Sequence, residues 1–247
     1  MKNKIILIFA FVLSTPLMSF KKTLQFEPVA VIELFTSQGC SSCPSADRLL
    51  SQTIKEAKKE GKNIFALSFH VDYWNRLGWA DPFSDKKYSQ RQSEYASRMQ
   101  LRSVYTPQMI VNGSSEFVGS NQEDLESALD KSLNTKSTVV FKTLTATIQN
   151  GTPPNVKYEL EGNFSGCKIN LALISLNETT FVKRGENGGR SLKNENVVRQ
   201  FISIPAKING EINFENNPVP VLNNIAIVAY VQGSDLKIIG ASMAELK

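Results

Sequence analysis

The chain has 247 residues, 41% hydrophobic and 21% charged, which is ordinary for a globular protein and enough for one large domain or two modest ones. Three cysteines are too few to form a disulfide framework, so a close pair among them needs its own explanation. The net charge is +5, and removing a leader that carries Lys2 and Lys4 leaves 26 basic residues against 23 acidic; the basic residues are interspersed with Glu, Asp and Gln, which favours a solvated surface and no nucleic-acid partner.

Lys2 and Lys4 precede an apolar run at residues 5–13, followed by Ser14, Thr15 and Pro16. Such a run is too short to span a bilayer, which takes about 20 residues, but it fits the apolar region of a signal peptide over residues 1–20. Leu17-Met18-Ser19 is not a small-x-small cleavage triplet, so a retained anchor is the lesser alternative, and no cysteine follows the run to carry a lipid. The expected location is periplasmic or secreted, with no stable membrane span after cleavage and with disulfides permitted.

Residues 29–35 (VAVIELF) form a nearly continuous apolar strand interrupted by one acid, Glu33. Ala46, Leu49, Leu50 and Ile54 recur at helical spacing up to Gly61, a helix stop, and residues 63–69 (NIFALSF) form a second buried strand. The result is a βαβ unit. An insertion over residues 70–102 is first aromatic and then helical, with Tyr88, Arg91, Gln92, Tyr95 and Met99 on one face. Residues 108–111 and 116–118 flank Asn112-Gly113, a hairpin signal, and residues 121–133 form an amphipathic helix capped by Asn121 or Ser120. After Thr135 only strands are read, at 138–148, 156–160, 169–176, 197–204, 225–231 and 237–241, with turns at Asn150-Gly151 and Asn209-Gly210. The expectation is an α/β domain over 27–134, followed by an all-β antiparallel sandwich-like domain over 138–247.

Cys40 and Cys43 lie in Gly39-Cys40-Ser41-Ser42-Cys43-Pro44, after a strand and at the start of a helix. A helix amino terminus stabilises a thiolate, and in C-x-x-C motifs the thiol can fall from about 8.5 to between about 3.5 and 7.5. Pro44 costs nothing there, because first-turn donors lack partners anyway. Cys40, at the exposed start, would attack, and Cys43 would resolve the mixed disulfide. A structural bridge over so short a loop constrains the unfolded chain little, and a zinc site would need two more ligands than one histidine and the remote Cys167 readily supply. The redox reading is preferred, with no cofactor and no resident metal; Cys167 reads as a core thiol.

Other residues around the pair have two readings each. Glu33 is costly in its strand unless it is paired or at work. His70, the one histidine, ends the second strand and could serve as thiolate partner, proton shuttle, metal ligand or loop anchor. Asp72, Tyr73, Trp74 and Trp79 form either a substrate wall or the insertion's own core. Gly185, Gly188 and Gly189 mark a hairpin tip where Arg184, Arg190 and Arg199 surround Glu186, either a clamp or latch reaching the pair or a solvated loop. The latch is preferred.

The block from Glu33 to Pro44, His70-Val71-Asp72-Tyr73-Trp74, Leu77-Gly78-Trp79, Arg91-Gln92, Tyr105-Thr106-Pro107-Gln108, Val111-Asn112-Gly113, and the run from Arg184 to Arg190 with Asn196-Val197-Val198-Arg199 together resemble an uncharacterised secreted thioredoxin-like family, domain-of-unknown-function family 1223, over residues 29–245. The resemblance implies a thioredoxin-like fold and an extracytoplasmic setting but no substrate. By likeness to thioredoxin-like proteins, Pro107 would be a cis-proline beside Cys40, and the Thr106 backbone would pair with an extended substrate strand. Thioredoxin also has a buried acid near the place of Glu33, serving proton transfer to the resolving cysteine; here Glu replaces Asp, one residue further from the pair. The expected function is thiol–disulfide exchange with exported proteins, coupled to an unidentified redox donor. Two alternatives stand beside it: soft-metal handling, copper above all, by Cys40, Cys43 and His70, and a non-catalytic binding module.

Overall fold

A computed structural model describes residues 25–148, 152–215 and 224–246. The signal-peptide reading and the Asn150-Gly151 turn lie outside the described residues. No described helix is long and apolar enough to cross a membrane.

Strand β1 (Ala30–Thr36) is buried throughout and runs parallel to β2 (Ile64–His70), with α1 (Cys43–Glu60) crossing between them. Gly61 ends α1 in the left-handed conformation, its N–H returning to carbonyls of the last turn. The insertion contains a short 3-10 turn (Asn75–Leu77) and α2 (Lys86–Arg98), which is capped by the Asp85 carboxylate accepting from the Lys87 N–H at 2.8 Å. Strands β3 (Gln108–Val111) and β4 (Ser115–Val118) form a hairpin, and α3 (Gln122–Leu133) follows with Asn121 as its cap. At the hairpin turn Asn112 and Gly113 both have positive φ, 48° and 63°, and a Cβ at Gly113 would run into the Leu236 carbonyl.

From here on every described element is a strand: β5 (Val139–Thr147), β6 (Asn155–Gly162), β7 (Lys168–Phe181), β8 (Ser191–Pro205), β9 (Asn209–Asn213), β10 (Ile225–Gln232) and β11 (Ile238–Glu245). Strands of both halves join one mixed eight-stranded sheet, in the order β11-β10-β7-β8-β2-β1-β3-β4, while β5, β6 and β9 form a separate antiparallel sheet. The two halves meet where β8 lies parallel to β2, with Ser68 opposite Val197. The Ser68 hydroxyl donates to the Glu195 carbonyl at 2.8 Å and the Asn196 amide to the Ala66 carbonyl at 3.0 Å.

The strand and turn reading differs from the structure at the ends of β7 and β8, at the start of β9 and at Cys167. Strands β7 and β8 extend beyond the apolar stretches as a long ribbon, because Asn177–Thr180 and Lys193–Glu195 pair across it despite their polarity. Strand β9 begins where Asn209-Gly210 reads as a turn; it is a short polar edge strand on β6. Cys167 is half-buried beside Phe164 rather than fully enclosed.

Side-chain alternation sorts three apolar regions. On β1, Val31 and Phe35 face α2 together with Tyr88, Tyr95 and Phe69, while Ile32 and Leu34 face α1 and α3 with Ala46, Leu50 and Leu125. Strand β10 is buried on both faces: Ala226, Val228 and Tyr230 join the first region, and Ile225, Ile227, Ala229 and Val231 pack under the small sheet. Each fully buried large side chain contributes about 1.5–3 kcal/mol relative to exposure. The outcome for the site is that the β1-to-α1 turn lies above a tightly filled frame.

Candidate functional site

Strand β1 ends at Thr36, and the chain reaches α1 through Ser37, Gln38, Gly39, Cys40, Ser41 and Ser42. Local bonds shape this turn: the Cys40 N–H donates to the Ser37 carbonyl at 3.2 Å, and the Gly39 N–H to the Ser37 hydroxyl at 3.1 Å. Cys40 and Cys43 are joined in a disulfide with their Cα atoms 5.4 Å apart. Cys43 is the first residue of α1; Ser42 caps it without a side-chain bond, and no acid stands in the first turn. The Ser42 hydroxyl lies 3.3 Å from the Cys40 sulfur, and the Thr106 carbonyl 3.9 Å from it.

The Thr106–Pro107 peptide bond is cis. Pro107 packs beside Gly119, where an added Cβ would lie 3.2 Å from Pro107 and 3.3 Å from Ala46 of α1. Trp74 spans the turn and this loop: its indole N–H donates to the Thr106 hydroxyl at 2.8 Å, and its Cβ would lie 3.2 Å from a Cβ on Gly39. Cys40 and Cys43 are both 0% exposed, whereas Ser41 and Ser42 face solvent. Cys40 therefore differs from its reading as an exposed start. Position in the motif says nothing of what distant segments lay over it.

His70 ends β2 opposite Thr36 and is buried. Its Nδ1 is 2.7 Å from Asp81, whose same oxygen accepts the Gln38 N–H at 2.8 Å, while the other oxygen accepts the Phe83 N–H at 3.0 Å. His70 thus acts on the turn through Asp81, two residues before Cys40. Burial would lower the His70 pKa, but the Asp81 carboxylate and its hydrogen bond outweigh that and raise it. Asp81 moves the opposite way: burial works against it, and His70 with the two amides holds it below the usual carboxylate range. Asp47, one turn after Cys43, is buried and accepts from the Thr36 hydroxyl at 3.1 Å. Burial pushes its carboxyl up to about 6, against the pull of His70 and Thr36.

The tip of the β7–β8 hairpin reaches this same turn. Buried Asn187 donates from its amide to the Gln38 carbonyl at 3.0 Å and the Cys40 carbonyl at 2.8 Å, and it accepts from Arg190 at 3.2 Å. Glu186 accepts the Ser41 N–H at 2.8 Å. The Gln38 side chain donates to Asn194 at 3.1 Å and accepts from the Trp79 indole at 3.2 Å. Trp74, Trp79 and, through Asn187, the exposed Arg190 are therefore brought to the turn; Arg184 is exposed, and Arg199 pairs with Glu178 at 3.1 Å, so the three arginines do not surround Glu186 as read from the sequence. The residues that carry the contact are ones the sequence did not single out: Gln38, Asp81, Asn187 and Asn194, with Glu186 noted only as the centre of an arginine cluster. A polar residue inside an aromatic or glycine-rich stretch was the available signal.

Glu33 lies elsewhere. It stands on the face of β1 covered by α2, while α1 and its cysteines lie on the other face. Its carboxylate takes the Arg91 guanidinium at 2.7 and 3.0 Å and also accepts from the Tyr230 hydroxyl. Arg91 is further bonded to Tyr95 and Gln232 and sits 4.8 Å from the centre of the Phe201 ring. Burial would lower the pKa of Arg91, but Glu33 and the two tyrosines keep it raised and charged. Strand alternation explains the location, since Glu33 shares the side of Val31 and Phe35.

Among the described residues, no group of three or more His, Cys, Asp or Glu side chains is arranged to hold a metal. Residues 31–232 match the family described as "Protein of unknown function (DUF1223)". The chain is also similar to a structural-genomics crystal structure of a protein from Agrobacterium tumefaciens, with 27% identity, 88% of this chain and 94% of that one covered, and a TM-score of 0.66. No curated protein matches.

Two outcomes are expected. Glu33→Gln leaves the buried Arg91 charge without its partner, so urea denaturation should show a loss of about 3–5 kcal/mol, while the folded variant's disulfide is reduced by dithiothreitol at the wild-type rate. A slowed reduction would instead tie Glu33 to the cysteines. For Asp47, the folded pKa lies above the ordinary 3.8, so its share of stability is full below that value and is lost as pH rises through about 6. Asp47→Asn should therefore gain on wild type between about pH 4 and pH 7, by up to about 3 kcal/mol. Parallel stability curves across that range would contradict this.

Proposed function

This chain belongs to the DUF1223 family of proteins of unknown function, and we propose that it is a thiol–disulfide oxidoreductase of thioredoxin-like fold that acts outside the cytoplasm on exported proteins. The observation that carries the reading is the Cys40–Cys43 disulfide at the turn from β1 into α1, with the Thr106–Pro107 loop against it. The extracytoplasmic setting rests on the leader read in residues 1–20.

In the reduced protein the Cys40 thiolate attacks a substrate disulfide, forming a mixed disulfide and expelling one substrate thiolate. The Cys43 thiolate then attacks the Cys40 sulfur, releasing the second substrate thiol and leaving the Cys40–Cys43 disulfide. A donor dithiol restores it by the same exchange in reverse. The Ser42 hydroxyl and the amides at the start of α1 favour the Cys40 thiolate. The Thr106 backbone, next to the Cys40 sulfur, offers an extended substrate its main-chain bonds, with Trp74 held beside it. Cys40 is fully buried, so exchange requires the segments packed over the turn to move.

The test is an insulin-type disulfide reduction assay with dithiothreitol as donor. Cys40→Ser should fall to the uncatalysed background, and Cys43→Ser should accumulate mixed disulfide on Cys40, visible on non-reducing gels. Equal turnover by wild type and Cys40→Ser would overturn the reading.

A further inference from the structure

Helix α1 starts without the acid that commonly neutralises a helix amino terminus. Ser42 makes no side-chain cap, and no acid occupies the first turn. The acid that meets this end comes from 145 residues away: Glu186, whose carboxylate accepts the Ser41 N–H at 2.8 Å, directly beside Cys40.

This placement is built. The next residue, Asn187, is 0% exposed and holds the carbonyls of Gln38 and Cys40. The tip closes on itself through the Gly188 N–H to the Gly185 carbonyl at 3.0 Å and the Gly189 N–H to the Val182 carbonyl at 2.8 Å. Gly185 has a φ of +80° and lies against Trp79, where an added Cβ would come within 3.2 Å. These contacts fix Glu186 over Ser41.

We propose that Glu186 tunes the Cys40–Cys43 couple: its negative charge at the amino end of α1 disfavours the Cys40 thiolate and so makes the dithiol the stronger reductant. The inference rests on the oxidoreductase reading and gives it a direction. The disulfide carries no charge, so the carboxylate acts on the reduced state alone, and a less stable thiolate means a lower reduction potential.

Other charges around the turn do not supply the same effect. Asp81 meets the Gln38 amide but is balanced by His70. Asp47, on α1 below, interacts with His70 and Arg48. Arg190 is engaged with Asn187, and Arg184 is exposed. Glu186 makes no ion pair among the described residues. The Ser41 hydrogen bonds hold its carboxyl below the usual range, so it stays charged through neutral pH.

The experiment compares wild type with Glu186→Gln, which keeps an acceptor for the Ser41 N–H and removes only the charge. Each protein is equilibrated with glutathione, one protein disulfide and two glutathione thiols giving one dithiol and one glutathione disulfide, and the Cys40 thiol is titrated by its thiolate absorbance. The variant should show a lower Cys40 pKa and an equilibrium shifted about threefold toward the dithiol at pH above that pKa. The difference should shrink in high salt and vanish at acid pH, where both proteins carry the neutral thiol. A purely structural role would instead change thermal stability and leave no salt-dependent shift. Identical constants and pKa values, or a shift the other way, would overturn the inference while leaving the oxidoreductase reading in place. A wild-type protein that fails to exchange with glutathione would remove both.

Discussion

The turn from β1 into α1 satisfies only part of its own backbone, and distant segments supply the other partners. Between Thr36 and Cys43 the amides and carbonyls have left the strand ladder and have not yet entered the helix. Buried main-chain groups without partners cost about as much as lost hydrogen bonds. Here the buried Gln38 N–H goes to Asp81 and the carbonyls of Gln38 and Cys40 to Asn187, while the exposed Ser41 N–H meets Glu186. Those partners come from the insertion and from the far hairpin, so the cysteine pair is held by segments distant in sequence.

That requirement gives the rest of the architecture its purpose. The parallel contact of β8 on β2 extends the first sheet into the second half of the chain. The β7–β8 ribbon then runs on past the apolar core, carrying Asn187 to the turn and placing Asn194 on Gln38. On the insertion side, buried Asp81 is anchored by His70, which the end of β2 brings level with Thr36. The Glu33–Arg91 pair serves another junction: it ties β1 to α2 and, through Tyr230 and Gln232, to β10. One strand therefore carries a polar anchor on its α2 face and leads into the cysteine turn at its end.

Much of this was legible in the sequence where the signal was local. Apolar runs gave β1, β2 and β10; helical spacing gave α1, α2 and α3; Asn112-Gly113 marked the β3–β4 turn. The C-x-x-C spacing at a strand-to-helix junction pointed to the pair itself. What remained hidden depends on partners chosen at long range. Periodicity cannot say that β8 pairs with β2, nor that Asn177–Thr180 continues a strand. Glu33 was visible as an anomaly in an apolar strand, and its alternation with Val31 and Phe35 already placed it on their face, but only the packing of α2 there reveals Arg91 as its partner. The burial of Cys40 follows from Trp74, the Thr106 loop and Asn187 closing over the turn, which no feature of the motif encodes.

The proposed function requires the Cys40–Cys43 bond to be a working couple and not a staple. The direct measurement is a redox titration of the native protein in glutathione buffers, with the free thiols alkylated and counted by mass spectrometry. A working couple gives a single reversible two-electron transition between disulfide and dithiol in the folded protein, confined to Cys40 and Cys43. A bond that stays closed until denaturant unfolds the chain would be a structural staple and would rule the redox function out.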